Sequence, residues 1–454
     1  MSGATTAAAA DRTICVLGMG YVGLTLAAAF ADVGFGVLGV EIRDDVLAAL
    51  ARGEPHVFEP GLAEKMRRAT AAGTLSFARH VPPDWRGTVF VITVGTPLDA
   101  AGRSRMDMVQ RVAAEVASAL KANDLVIMRS TVKLGATRSV VVPMLDRAGV
   151  PYDLAFCPER TLEGNALAEL RQLPQIVGGM TAAATARAAA VFQSLTPTVV
   201  HVSDVETAEM IKLVDNAQRD VAFAYSNEIA RACDAVGVSA IEVIEAGKTG
   251  YPRTNLPIPG PVGGPCLEKD SYIFAEALRD AGIDPEMTMA ARVVNERQPR
   301  EIAEHLARVM TRAGAGSPCV ITLLGIAFKG RPATNDLRGT MAISVLDALR
   351  ACFPDASYRA YDAVVAPDEI RALGLSPCSA IEGAMSGAQL ALIVNNHPVF
   401  AAMPISGLAA RMARPGLIYD FWNTFRAGDL HLPDGIGYMA LGSHGRAVLP
   451  SRNA

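Results

Sequence analysis

One cysteine of this chain stands where a thiol could act on a substrate carbon. Cys266 ends the run Gly263-Gly264-Pro265-Cys266, with Lys269 and Asp270 just after it. The stretch from Gly247 to Cys266 is so dense in Gly and Pro that neither helix nor strand persists in it. Its small side chains cannot shield a thiol, and Lys269 nearby favours the thiolate, the form that attacks carbon. A cysteine is more often an inert core filler, but this loop offers poor burial. Lys212 and Asn216 lie four apart in a helical stretch and so share a face. A lone lysine there is by default a solvated surface group, whereas an ammonium beside an amide can stabilise a developing alkoxide or oxyanion. Pro158-Glu159-Arg160 and Glu163-Gly164 put two carboxylates and a guanidinium in the loop after a strand, the end of open α/β sheets where ligands bind.

A second chemistry sits near the start. Gly18-Met19-Gly20-Tyr21-Val22-Gly23 follows the strand-like TICVL and opens an Ala-rich helix, and Glu41 ends the next strand-like run. The glycines allow a tight turn and close approach of a pyrophosphate, the helix N-terminus supplies N–H donors, and the acid grips ribose hydroxyls. The string alone is a weak signal; placed between strand and helix, with Glu41 at the expected spacing, it reads as a dinucleotide site rather than a structural glycine turn. NAD is favoured over NADP because Glu41 would repel a 2′-phosphate, with Arg43 the one neighbour that opposes the preference.

These residues need elements to hold them. A chain of 454 residues exceeds one ordinary core and predicts two or three domains. Strand-like runs at Thr13, Gly36 to Val40, Val89 to Val94, Leu125 to Met128 and Tyr152 to Phe156 alternate with helical stretches, which predicts a parallel sheet reaching to about residue 200. Ser203 to Gly237 reads as one long helix, and helical patterns resume from Ser271 to about Arg312. Further strands are expected from Cys319 and at Ser357 to Tyr361, Leu390 to Val394 and Leu417 to Tyr419. The fold class is α/β: two Rossmann-like domains joined by a central helical segment with one long helix, leaving an interdomain cleft for a ligand. The expected limits are a disordered tail over 1–12, an N-terminal domain over 13–202, a central helical, dimerisation and active-site segment over 203–312, and a C-terminal α/β domain over 313–454.

Net charge is −4 with Lys and Arg scattered, so no footprint for nucleic acid or anionic lipid is visible and small-molecule partners are expected. The seven cysteines lack CxxC pairs and the seven histidines lack HExxH, which argues against a disulfide framework and against a metal site. No run reads as a membrane span and the first dozen residues lack the pattern of a secretory signal, so a cytoplasmic location is expected.

The strings GMGYVGL, ITVGTPLD, RSTVKLGATR, CPERTLEG, LPQIVGG, EMIKLVDN, GPVGGPCLEKD, LGIAFKG and Tyr361-Asp362, in this order and spacing, resemble the UDP-glucose and UDP-N-acetylmannosamine 6-dehydrogenases from Thr13 to about Gly442. The resemblance implies an N-terminal NAD-binding domain, dimerisation through the central helix and a C-terminal domain for the UDP moiety. It implies a four-electron oxidation of a C6 hydroxyl to a carboxylate through a thiohemiacetal and a thioester on Cys266. Lys212 and Asn216 correspond to the oxyanion-stabilising pair, Asp270 to a group working with ordered water, Glu159 to the carboxylate that helps hydrolyse the thioester, and Thr131 to the residue that helps hold that water. Thr96 and Pro97 fall in the cofactor-side loop. Arg160, Glu163, Arg253, Gly263, Lys329 and Arg338 fall on the substrate side, Lys329 and Arg338 at positions facing phosphates, sugar and cleft. The PER form and Pro252-Arg253-Thr254-Asn255 lean to an N-acetylhexosamine, UDP-ManNAc or UDP-GlcNAc, while Lys269-Asp270 is more like the glucose-type CFPKD string. The family's RESP is replaced by Arg338-Gly339-Thr340-Met341. Two rivals remain open: a non-catalytic nucleotide-sugar sensor, and a two-electron dehydrogenase of the 6-phosphogluconate or hydroxyacid type.

Overall fold

A computed structural model describes residues 11–315 and 318–447. The chain divides into two compact units, Met1–Asn216 with Tyr272–Asp284, and Ala217–Ser271 with Pro285–Ala454. Residues 1–10 of the expected tail lie outside the described residues. Asp11, by contrast, is buried: it receives hydrogen bonds from Thr88 Oγ1 at 2.8 Å and from Arg187 Nε at 2.6 Å, partners distant in sequence.

The first unit is built on strands β1 (Thr13–Leu17), β2 (Gly36–Val40), β3 (Leu75–Ala78), β4 (Val89–Ile92), β5 (Asp124–Met128), β6 (Tyr152–Phe156), β7 (Gln175–Gly179) and β8 (Val199–His201). They form one sheet in the order β3-β2-β1-β4-β5-β6-β7-β8. The central strands are continuous apolar runs because helices cover both faces. Alternation splits them cleanly: Ile14, Val16, Val89, Val91, Leu125 and Ile127 enter one core, while Cys15, Leu17, Phe90, Ile92, Val126 and Met128 enter the other. All pairings are parallel except β6 with β7, where Ala155 meets Gly179 in antiparallel register, a break the expected parallel sheet did not include.

The second unit carries β9 (Val320–Leu324), β10 (Ser357–Tyr361), β11 (Ser376–Pro377), β12 (Leu390–Ile393), β13 (Gly416–Asp420) and β14 (Ile436–Ala440), all parallel in the order β11-β10-β9-β12-β13-β14. Both sheets therefore run outward in both directions from their first strand, the doubly wound order whose ligand crevice opens at the strand carboxyl ends beside that strand.

The long helices in the middle of the chain are Val205–Val236, Leu267–Asp280 and Glu286–Arg312, with the shorter Ala240–Lys248 between the first two. The second begins at Leu267, earlier than the expected Ser271, directly after Cys266. Among the described residues no helix is long and apolar enough to cross a membrane, and no group of His, Cys, Asp and Glu is arranged to hold a metal ion.

Candidate active site

In the first unit the glycine motif turns from β1 into the helix Tyr21–Asp32. Gly18 has φ +97°, and a Cβ there would lie 2.9 Å from Val94 Cγ1; a Cβ on Gly23 would lie 1.9 Å from the Gly18 carbonyl oxygen. Nothing lies within 4 Å of where a Gly20 Cβ would be. The two outer glycines are thus required by packing, and the middle one leaves open space over the backbone at the helix start, as a dinucleotide phosphate needs. Val22 is half-buried. Tyr21 lends the site its backbone only, because its buried side chain is bound to Glu59 and its hydroxyl accepts the Gly164 N–H at 2.7 Å. That bond ties the loop holding the half-buried Glu163 to the motif.

Glu41 is 8% exposed, and its two oxygens accept the N–H groups of Met19 at 3.2 Å and Arg43 at 3.0 Å. It sits beside the glycine turn, as a ribose ligand must. The Arg43 guanidinium is 3.9 Å from Glu41 and mostly solvent-facing. Thr96, after β4, is buried and its hydroxyl donates to the carbonyl of Thr131, after β5, so these two loops are joined; Pro97 is exposed. Glu209 of the long helix braces the same loop, accepting from the Gly135 N–H at 2.6 Å and the Thr137 N–H at 2.9 Å.

Glu159 follows β6 and is buried. Its Oε2 accepts from Arg129 Nη2 at 2.7 Å and Nε at 3.0 Å, and its Oε1 from the N–H groups of Arg160 and Thr161, both at 2.8 Å. Burial pushes this carboxyl upward, but the Arg129 charge, the Thr161 N–H and the nearby Lys212 together hold it below its ordinary value. Arg129 went unnoticed in the sequence although it opens the RSTVK string. Its guanidinium also reaches Gln175 Oε1 at 2.9 Å and lies over the Phe192 ring at 4.9 Å. Arg160 turns to Asp215 of the long helix at 3.1 Å. On that helix Lys212 is half-buried and Asn216 is buried.

In the second unit Cys266 is exposed and immediately precedes the helix Leu267–Asp280, its carbonyl accepting the Asp270 N–H at 2.8 Å. A helix N-terminus favours a negative charge such as a thiolate. Lys269 places its ammonium 3.5 Å from the buried Asp270 carboxylate, an ion pair between adjacent residues on the first turn after Cys266. Gly264, at φ +99°, donates its N–H to the Gly339 carbonyl at 2.7 Å, and a Cβ on Gly263 would lie 2.2 Å from that same oxygen. Gly263 is therefore a point of backbone contact. A Cβ on Gly339, where RESP has its glutamate, would lie 2.1 Å from Glu268 Oε2, so a carboxylate from the Cys266 helix fills that space.

Lys329 and Arg338 lie on the loop after β9, at the carboxyl ends beside the first strand of the second sheet. Asp362 accepts the Ile326 N–H at 2.7 Å and Asn395 packs against Gly325, so the loop's root is fixed. Lys329 Nζ lies 5.2 Å over the Phe328 ring, and Arg338 Nε meets Asp336 Oδ2 at 2.9 Å. Arg253 is exposed in the Gly/Pro loop, stacked on Tyr251 at 4.7 Å. Most of the expected residues thus stand in the turns after strands or before helices, Lys212 and Asn216 lie within the long helix, and Arg253 lies in the Gly/Pro loop.

A doubly wound sheet with a glycine turn, an open helix start and a buried glutamate beside that turn defines an NAD-dependent dehydrogenase. Comparison with known proteins agrees: residues 12–196 match the UDP-glucose/GDP-mannose dehydrogenase family, NAD binding domain, 206–297 its central domain, and 322–427 its UDP binding domain. The chain belongs to the UDP-glucose/GDP-mannose dehydrogenase family. It is 31% identical over 419 residues to UDP-N-acetyl-D-mannosamine dehydrogenase of Pyrococcus horikoshii, covering 91% of this chain and 96% of that one. It is 31% identical to NDP-N-acetyl-D-galactosaminuronic acid dehydrogenase of Ralstonia nicotianae, covering 88% and 94%. The solved structure of the Pyrococcus horikoshii UDP-D-ManNAc dehydrogenase superposes with a TM-score of 0.85 at 29% identity, over 95% of this chain and 100% of that one.

Glu41→Ala is expected to weaken NAD binding about tenfold or more by removing charge-assisted hydrogen bonds, and to relax discrimination against NADP. Fluorescence titration with both cofactors checks this. An unchanged NAD:NADP preference would leave Glu41 only as a brace for the Met19 and Arg43 backbone.

Proposed function

We propose that this NAD-dependent enzyme oxidises the C6 hydroxymethyl group of a UDP-N-acetylhexosamine, UDP-N-acetylmannosamine or UDP-N-acetylglucosamine, to a carboxylate. The observation that carries the chemistry is the exposed Cys266 thiol at a helix N-terminus, at the end of a glycine loop anchored to Gly339. The N-acetylated sugar is supported by the relatives named for such substrates and by the PER and PRTN strings. UDP-glucose is the second reading, favoured by the Lys269-Asp270 pair.

NAD, held by Gly18, Gly20, Gly23 and Glu41, supplies the acceptor for two electrons in each of two oxidations. Lys212 and Asn216 donate hydrogen bonds to the C6 oxygen as negative charge develops on it. The Cys266 sulfur bonds to the aldehyde carbon, whose oxygen takes a proton, and the second oxidation leaves C6 as a thioester. Water adds to that carbonyl, the C–S bond breaks, the thiolate leaves, and the sugar departs as its carboxylate. Glu159, Thr131 and Asp270 hold and deprotonate water. Arg160, Glu163, Arg253, Gly263, Lys329 and Arg338 serve the sugar nucleotide, Lys329 and Arg338 from the ligand-binding edge of the second sheet.

The working division is NAD binding in 13–202, the central segment in 203–312 and UDP-sugar binding in 313–454. A homodimer through the central helix is supported by Val214, Tyr225 and Val236, which are 43%, 56% and 73% exposed and recur every eleven residues, three helical turns, on one face. A cytoplasmic setting is supported by cysteines that are all free. Turnover with UDP-N-acetylmannosamine, UDP-N-acetylglucosamine, UDP-galactose and UDP-glucose tests the substrate. An N-acetylated sugar should lead by about tenfold or more in kcat/KM, and a lead by UDP-glucose would overturn the preference.

A further inference from the structure

A buried polar cluster in the second unit takes part in none of the steps above. Asp220 lies on the long helix one turn beyond Asn216 and is wholly buried. Its Oδ2 accepts from Ser271 Oγ at 2.9 Å, and its Oδ1 from Arg292 Nη1 at 2.9 Å and Asn295 Nδ2 at 2.8 Å. Arg292 Nη1 also donates to the Leu267 carbonyl at 3.3 Å, and its Nη2 to Glu296 Oε1 at 2.9 Å. Further along the same helix, the Asn227 side chain makes two bonds to the Gly260 backbone, at 3.0 and 3.1 Å, and donates to Asn295 Oδ1 at 3.0 Å. Asp220, Asn227, Ser271, Arg292 and Asn295 are each no more than 2% exposed.

A buried carboxylate and guanidinium lose so much hydration that a well-packed apolar pair would stabilise the fold as well or better. What such a network does supply is one fixed geometry. The bonds named here that leave the network fall on the chain around Cys266 and on Glu296. Gly260 is held in the loop before the cysteine, the Leu267 carbonyl just after it, and Ser271 in the following turn. Cys266 itself remains exposed.

We propose that Asp220 is a positioning residue: through Ser271, Arg292 and Asn295 it locks the start of the Cys266 helix onto the long helix at Asp220, and so fixes where the thiol stands. This rests on Cys266 being the nucleophile. A displacement of about an ångström in a reacting group costs up to a hundredfold in rate, so Asp220→Asn should lower kcat by about tenfold or more while KM for the sugar nucleotide moves by less than about threefold.

The test uses the full-length enzyme and compares Asp220→Asn, Ser271→Ala, Ser271→Thr and Cys266→Ser. It measures kcat, KM, thermal melting and the rate at which iodoacetamide alkylates Cys266, the last read by peptide mass spectrometry because Cys319 is also exposed. Asp220→Asn and Ser271→Ala should alter both kcat and the alkylation rate, and Ser271→Thr, which keeps the hydroxyl, should recover both. A lower melting temperature with kcat and alkylation unchanged would make the network structural only and overturn the proposal. If Asp220→Asn does not fold, Ser271→Ala decides: wild-type kcat and alkylation overturn the proposal, and their joint loss with recovery in Ser271→Thr upholds it. Wild-type turnover by Cys266→Ser would overturn the covalent reading and this proposal together. An inactive Cys266→Ser beside wild-type behaviour in both network variants would overturn this proposal alone.

Discussion

Cys266→Ser is expected to slow formation of the carboxylate product by about a thousandfold or more while leaving binding of NAD and of the sugar nucleotide within about threefold. The thiol stands exposed before a helix, where the first-turn N–H groups favour negative charge. A serine hydroxyl in the same place is far harder to ionise at neutral pH, so the covalent capture of the aldehyde fails while the surrounding loop is unchanged. Steady-state assays of NADH and product, with binding followed separately, check this. Normal turnover would sink the covalent mechanism.

Glu159→Gln should have two separable consequences. The glutamine keeps the shape and an acceptor oxygen but cannot take a proton from water, so the oxidations should run once and stop at the thioester. Product formation should fall about a hundredfold or more, with a burst of NADH and a sugar adduct visible by intact-protein mass spectrometry. The second consequence is structural. Removing the charge facing Arg129 leaves that guanidinium with Gln175 and the Cys157 carbonyl, and breaking such a buried pair should cost about 3 kcal/mol.

The same ion pair gives a pH signature. The Glu159 carboxyl is held below the ordinary value of 4.5 in the fold, so its stabilisation is complete above that pH and is lost as pH falls through the lower folded value. Acid unfolding of the variant should lack this loss. Slow turnover with neither burst nor adduct would move Glu159 to an earlier step or leave it as the partner of Arg129.

Several elements could be read directly from the sequence. β2, β6 and β10 fall on the expected runs residue for residue, and the helix expected over Ser203 to Gly237 spans Val205–Val236. The helix is long and β2 is apolar throughout, and Gly34, Gly149 and Gly237, each at positive φ, stand just before β2, just before β6 and just after the helix. β3, β7, β8, β11 and β14 were not anticipated: β3, β8, β11 and β14 are the edge strands of the two sheets and β7 lies beside β8, so packing on neighbouring strands decides them more than local pattern. The helix at Leu267 begins after a cysteine, which carries no strong helix-start signal, so its first turn reads as a continuation of the loop.

The site divides in the same way. Glycine positions and Glu41 could be read from spacing because a strand-turn-helix fixes them locally. Arg129 with Glu159 and Asp220 with Arg292 could not, being separated by 30 and 72 residues. A lone Arg or Asp in a polar stretch looks like a solvated surface group until the fold buries it. The Glu268 carboxylate that fills the space at Gly339 belongs to the same class of long-range pairing.

A four-electron oxidation through a thioester on Cys266 is tested most directly by the number of NADH molecules formed per molecule of sugar nucleotide consumed to completion. Two are expected, with the carboxylate as sole sugar product and no free aldehyde trapped by an added amine. One NADH per sugar, with aldehyde captured, would contradict it and return the chain to two-electron chemistry.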